Sequence, residues 1–115
     1  MVDEKELAFW LVKNGWVESA PKALRFVKSA EQGECTEEMM DALSMKVLLE
    51  KGSDLFALDD LSKGLPEVHS EEVLELLNRA IADATKMIEH WHAYPSDTNA
   101  KFFRVNLRNV NWDME

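Results

Sequence analysis

The segment MIEHWHAYP, residues 87 to 95, carries two of the chain's three histidines, with Glu89 before them and Trp91 between. Histidine and glutamate at short spacing can hold a transition metal or relay protons. The spacing decides between these uses. On a helix, His90 and His92 stand ~200° apart and cannot grip one ion. Glu89 and His92 do form a Glu-x-x-His pair, the spacing of di-iron helix bundles, but such sites need a second copy and further inward-facing glutamates. The third histidine, His69, has Pro66 three positions before it, so the second copy is missing. Glu89 and His92 also fall away from the apolar arc of their helix. The pattern argues against a metal centre, leaving His90 solvated and His92 at the border of the arc.

Other reactive residues are equally isolated. There is no glycine-rich phosphate loop, no Walker sequence and no His-Glu-x-x-His. Cys35 precedes a helix N-terminus, where the dipole can lower a thiol pKa, yet the carboxylates of GECTEE push the other way. It reads as a structural or incidental cysteine rather than a nucleophile. Asp59 and Asp60 are neighbours on an expected helix, so they point apart and suit a solvated face better than an acid–base pair. No catalytic residue, metal ligand or cofactor is expected.

These side chains have to be placed by helices. Asp3 can cap a first helix running to about Lys13, with Gly15 as its left-handed stop. The alternative is a hairpin at KNGW, but its second arm would be only WVES before a proline. Pro21 suits the first turn of a second helix ending at Gly33, with Ala23, Leu24, Phe26, Val27 and Ala30 on one arc. Thr36 starts a third helix, closed by Lys51 and Gly52. That helix carries two apolar stripes, Met39, Met40, Leu43 and Val47 against Ala42, Met45 and Leu49. A helix apolar on two sides is either central in its fold or in contact with a partner, and the central position is the simpler expectation.

Ser53 can cap a short helix through Leu55, Leu58 and Leu61, stopped at Gly64. Ser70 is then the expected cap of the longest element, residues 71–94, closed by Pro95. Its Val73, Leu76, Leu77, Ala80, Ile81, Ala84, Met87, Ile88, Trp91 and Tyr94 fall within an arc of ~160°. The tail is ambiguous. Phe103, Val105 and Leu107 alternate as in a strand, whereas Ala100, Phe103, Leu107 and Val110 follow helical spacing. A lone strand would have nothing to pair with, and Asp97 is a fair N-cap, so a helix is expected. The whole reads as an all-α, single-domain bundle over residues 1–115, with five or six helices around helix 71–94.

Charge narrows the function. The 115 residues carry a net charge of −9. Residues 31–75 hold thirteen acids against three lysines, a local −10, and the rest of the chain sums to +1. Such a surface repels phosphate backbones and anionic membranes, which disfavours direct nucleic-acid or membrane binding. Acids at helix N-termini explain Glu37, Glu38, Asp54, Glu71 and Glu72 in part, yet a clear excess remains. One cysteine permits no intrachain disulfide, which points to a reducing compartment. The N-terminal stretch has acids before a short apolar run, unlike a signal peptide, and a span needs ~20 apolar residues. A cytoplasmic protein is expected.

The function this profile suggests is a non-enzymatic binding module, of inhibitor, immunity, antitoxin or chaperone type, engaging a basic partner protein. The candidate partner-binding residues are Glu37, Glu38, Asp41, Asp59 and Asp60 of the acidic block, Met45 of the second stripe, and Trp16 and Trp112. Both tryptophans sit in connections or ends, and tryptophan is enriched in interface hot spots. Trp10 and Trp91 belong to apolar stripes and read as core. An alternative use of the acids is nucleic-acid mimicry, with carboxylates occupying a DNA- or RNA-binding cleft. A small metal binder or enzyme is the more remote reading.

Overall fold

The computed structural model describes residues 2–50 and 67–113, which form five helices and no strand. They are α1 (Glu4–Lys13), α2 (Ala20–Glu31), α3 (Glu37–Glu50), α4 (Ser70–Ala93) and α5 (Thr98–Arg108). The expected short helix through Leu55, Leu58 and Leu61 lies outside the described residues, as do Lys51, Gly52, Asp59 and Asp60.

Local chemistry sets the helix ends. Asp3 Oδ1 accepts the Lys5 N–H at 3.2 Å, and Glu6 Oε1 accepts the Asp3 N–H at 3.1 Å, a reciprocal capping box. At the other end Gly15 adopts φ +76°, and the Trp16 N–H reaches back to the Leu11 carbonyl at 2.9 Å. This Schellman closure needs a left-handed residue at Gly15, and it rules out the hairpin at KNGW. Gly33, at φ +73°, ends α2 in the same way, with the Glu34 N–H on the Ser29 carbonyl at 2.9 Å. Thr36 Oγ1 accepts the Met39 N–H at 3.2 Å, and Asp97 Oδ1 accepts the Asn99 N–H at 2.8 Å, capping α3 and α5.

The start of α4 differs from expectation. His69 is the N-cap and Ser70 the first helical residue. Glu72, three positions after His69, accepts its backbone N–H at 3.1 Å, so a carboxylate in the first turn sets the boundary.

α1 and α2 run antiparallel, joined by a short turn, and both pack on α4. Glu31 in the last turn of α2 meets Glu4 in the first turn of α1. Partial burial, then the hydrogen bond and charge of Glu4, raise the Glu31 carboxyl above its usual range, against the pull of Lys28. Phe26, Leu11, Met39, Leu43, Leu77 and Ile88 are among the largest fully buried side chains. They come from four helices, and α4 supplies Val73, Leu77, Ala84 and Ile88 along its whole length. The long helix is the spine of the bundle, as its periodicity implies.

Two expectations about packing are corrected. Met87 and Tyr94, both on the apolar arc of α4, are 45% and 60% exposed. Leu76 shares that arc but lies beside Trp16 and Glu50, at the end of α3. Met87 lines an open groove together with Trp10, Asp83, Lys86 and His90. The third helix is not central. It packs chiefly on α4 through Met39, Leu43 and Val47, and its second stripe leaves Met45 and Leu49 more than half exposed.

Candidate partner-binding face

The residues singled out in the sequence separate into two places. Trp16 is fixed by the Schellman turn at the end of α1 and packs half-buried against the core. The ammonium of Lys46, from α3, sits 4.8 Å from its ring centroid. Between them opens a groove of about 620 Å³, lined by Val12, Trp16, Val17, Glu18, Lys22, Asp41, Ala42 and Lys46. Its charges are two acids and two lysines, and Lys22 is already paired with Glu18 at 3.1 Å. The groove is therefore close to neutral.

The outer face of α3 carries exposed acids, of which Asp41 also borders the groove. Glu37, Asp41, Met45 and Leu49 follow one another at i, i+4 spacing, a row of two carboxylates and two apolar side chains. All four are exposed. Glu38, in the same turn as Glu37, is engaged from α2. Arg25 Nη2 donates to Glu38 Oε1 and Oε2 at 3.1 and 3.2 Å, which ties α2 to α3. Glu50 at the far end pairs with Arg79 of α4 at 2.7 Å. The structure thus brings Glu37, Glu38, Asp41 and Met45 together on one helix, with Trp16 beside it across the groove. Trp112 is elsewhere. It packs half-buried near the start of α1, where Lys5 lies 5.6 Å from its ring centroid.

The histidine pair has structural partners. His92 Nε2 lies 2.7 Å from Glu6 Oε2, so one carboxylate caps α1 and holds the last turn of α4. The His90 ring packs on Tyr94, with centroids 4.8 Å apart. Among the described residues, no group of three or more histidine, cysteine, aspartate or glutamate side chains stands close enough to hold a metal ion. Replacing His90 and His92 together by Gln should cost at most ~1 kcal/mol, the scale of an exposed ion pair. Equimolar zinc, nickel or ferrous iron should leave the melting temperature of the wild type where it is. A metal-induced rise that vanishes in the double variant would establish a site, since a ligand specific for the native state must stabilise it.

Cys35 is half-buried, and that burial pushes its thiol above the usual range, away from a nucleophilic thiolate. No helix among the described residues is long and apolar enough to cross a membrane.

Sequence reasoning missed a second exposed apolar pair. Phe102 and Val105 on α5 are 62% and 55% exposed, on the side opposite the buried Ala100 and Phe103. Their i, i+3 spacing signals a helical patch only once the tail is read as helix. The helical row Ala100, Phe103, Leu107 and Val110 defined the apolar side of the expected helix and drew the reading away from it.

No protein-family model matches the chain, and neither a curated protein nor a solved structure matches it.

Proposed function

We propose that this chain is a non-enzymatic binding module whose outer α3 face engages a basic, partly apolar protein surface. The observation that carries the reading is the row Glu37, Asp41, Met45, Leu49, in which Met45 and Leu49 are 53% and 56% exposed directly after two exposed acids. Large apolar side chains left in water beside carboxylates suit a surface that steers a cationic partner and then dehydrates against it. Inhibitor, immunity, antitoxin or assembly-chaperone roles in the cytoplasm all fit such a surface. Protein binding is favoured over nucleic-acid mimicry because Glu38 and Glu50 are neutralised by Arg25 and Arg79. A phosphate mimic needs bare carboxylates in a continuous array.

The test is to capture and identify the partner with the immobilised chain, then to follow association kinetics. Steering predicts an association rate that falls steeply from low to physiological salt, where the Debye length is ~8 Å. Reversing Glu37 and Asp41 together to Lys should slow association on the order of tenfold, with the fold unchanged because both residues are exposed. A rate indifferent to salt and to this reversal would reduce the acids to solvation and overturn the reading.

A further inference from the structure

The tail helix α5 carries three cations, Lys101, Arg104 and Arg108, and no acid, in a chain whose net charge is −9. At ~100° per residue the three cations share an arc of ~60°, directly beside Val105 and Phe102. Arg104 donates from Nη2 to the Pro95 carbonyl at 2.8 Å, which anchors it to the preceding loop. Lys101 and Arg108 are exposed and make no ion pair with any described residue. The outer surface of α5 is thus an apolar pair flanked by cations. It has the composition inferred above for whatever binds α3.

The two faces also match in register. On α3 the row Asp41, Met45, Leu49 advances by four residues. On α5 the row Phe102, Val105, Arg108 advances by three. Laid antiparallel, Leu49 meets Phe102, Met45 meets Val105, and Asp41 meets Arg108, over ~12 Å of one helix and ~9 Å of the other. A ridge of spacing three set into a groove of spacing four is a standard helix–helix packing, with axes inclined by about 20°. One molecule cannot make this contact with itself through these faces. α3 is held at Arg79 and α5 at Trp91, sites ~18 Å apart along α4.

We propose that the α3 face takes the α5 face of a second copy of this chain, giving weak, heterologous self-association. The inference rests on reading α3 as a binding face and names its partner. Four apolar side chains and one charge pair make a small interface, below the area of stable dimers, so the contact is concentration-dependent.

Sedimentation equilibrium of the full chain tests it, from micromolar to millimolar concentration at physiological ionic strength, where the like net charges of two copies are screened. The apparent mass should climb above the 13.2 kDa of the monomer as concentration rises. The double substitutions Met45→Ser with Leu49→Ser, and Phe102→Ser with Val105→Ser, alter exposed positions only and should each hold the chain monomeric. Mixing these two variants should restore a 1:1 complex, because each retains the face that the other lacks. A wild type that stays monomeric throughout overturns the proposal. So does a mixture that fails to associate while either variant still self-associates, which would mean like faces pair. A monomeric chain that co-sediments with phosphatidylserine vesicles, and loses this with Phe102→Ser and Val105→Ser, would assign the patch to a lipid surface instead. Failure here is distinguishable from failure of the α3 reading. Binding of a captured foreign partner would still depend on Glu37 and Asp41, and would not depend on Phe102.

Discussion

Leu77→Asp should abolish cooperative folding. Leu77 is fully buried on α4, in the cluster formed with α1, α2 and α3. The substitution removes a buried leucine side chain, a loss of ~2–5 kcal/mol for truncation alone. It also places a carboxyl in apolar surroundings, at a further several kcal/mol if it ionises unpaired. Set against a total stability of ~5–15 kcal/mol, the sum should leave no native population. Circular dichroism should then show no sigmoidal thermal transition, and near-ultraviolet signals from the tryptophans should collapse. Ile81→Asp should be milder, since Ile81 is only half-buried and its carboxylate can reach water. A Leu77→Asp protein melting near the wild-type temperature would show that α4 is not the spine.

Phe103→Ala should be the most damaging change in the tail. Phe103 is 2% exposed, with ring centroids 5.2 Å from Phe9 of α1 and 4.9 Å from Trp91 of α4. Truncating a buried phenylalanine costs ~3–5 kcal/mol. Each lost aromatic pair adds ~0.5–1.5 kcal/mol. For a domain of this size the melting temperature should fall by more than ~10 °C. Phe102→Ala, one residue away, should stay within ~0.5 kcal/mol of wild type, because that ring is in water. Val105→Ala should be equally mild. Were the tail a strand, Val105 would share the buried face with Phe103, and its truncation would be costly. Thermal melts of the three variants therefore separate the two conformations.

The helices were legible in the sequence because their signals are local. Asp3, Thr36 and Asp97 cap the helices they precede, and Gly15 and Gly33 stop theirs at positive φ. Each acts within a few residues of itself, so no knowledge of the fold is needed to read it. Ser70 misled because two nearby groups could start α4, and the Glu72 carboxylate selected His69. The role of His92 could not be read locally at all. Its partner Glu6 lies on the first helix, and only folding brings the two together.

The candidate face divides in the same way. Composition and spacing identify the carboxylates of α3, the two stripes of that helix and the apolar arc of α4, since helical geometry alone fixes which side chains share a face. They cannot say which face a neighbour covers. Met45 and Leu49 carry the same helical pattern as Met39, Leu43 and Val47, yet only the latter are buried, because α4 packs on that side. Met87 has the pattern of Leu76 but stays 45% exposed in an open groove beside Trp10. Phe102 and Phe103 are identical residues on one helix, and α1 and α4 enclose only the second. By itself the sequence determined where helices begin and end and which residues share each side, because backbone hydrogen bonding and side-chain periodicity act over a few residues. Which apolar sides became core and which stayed in water was decided by the tertiary structure, because burial depends on the length and placement of helices distant in the chain.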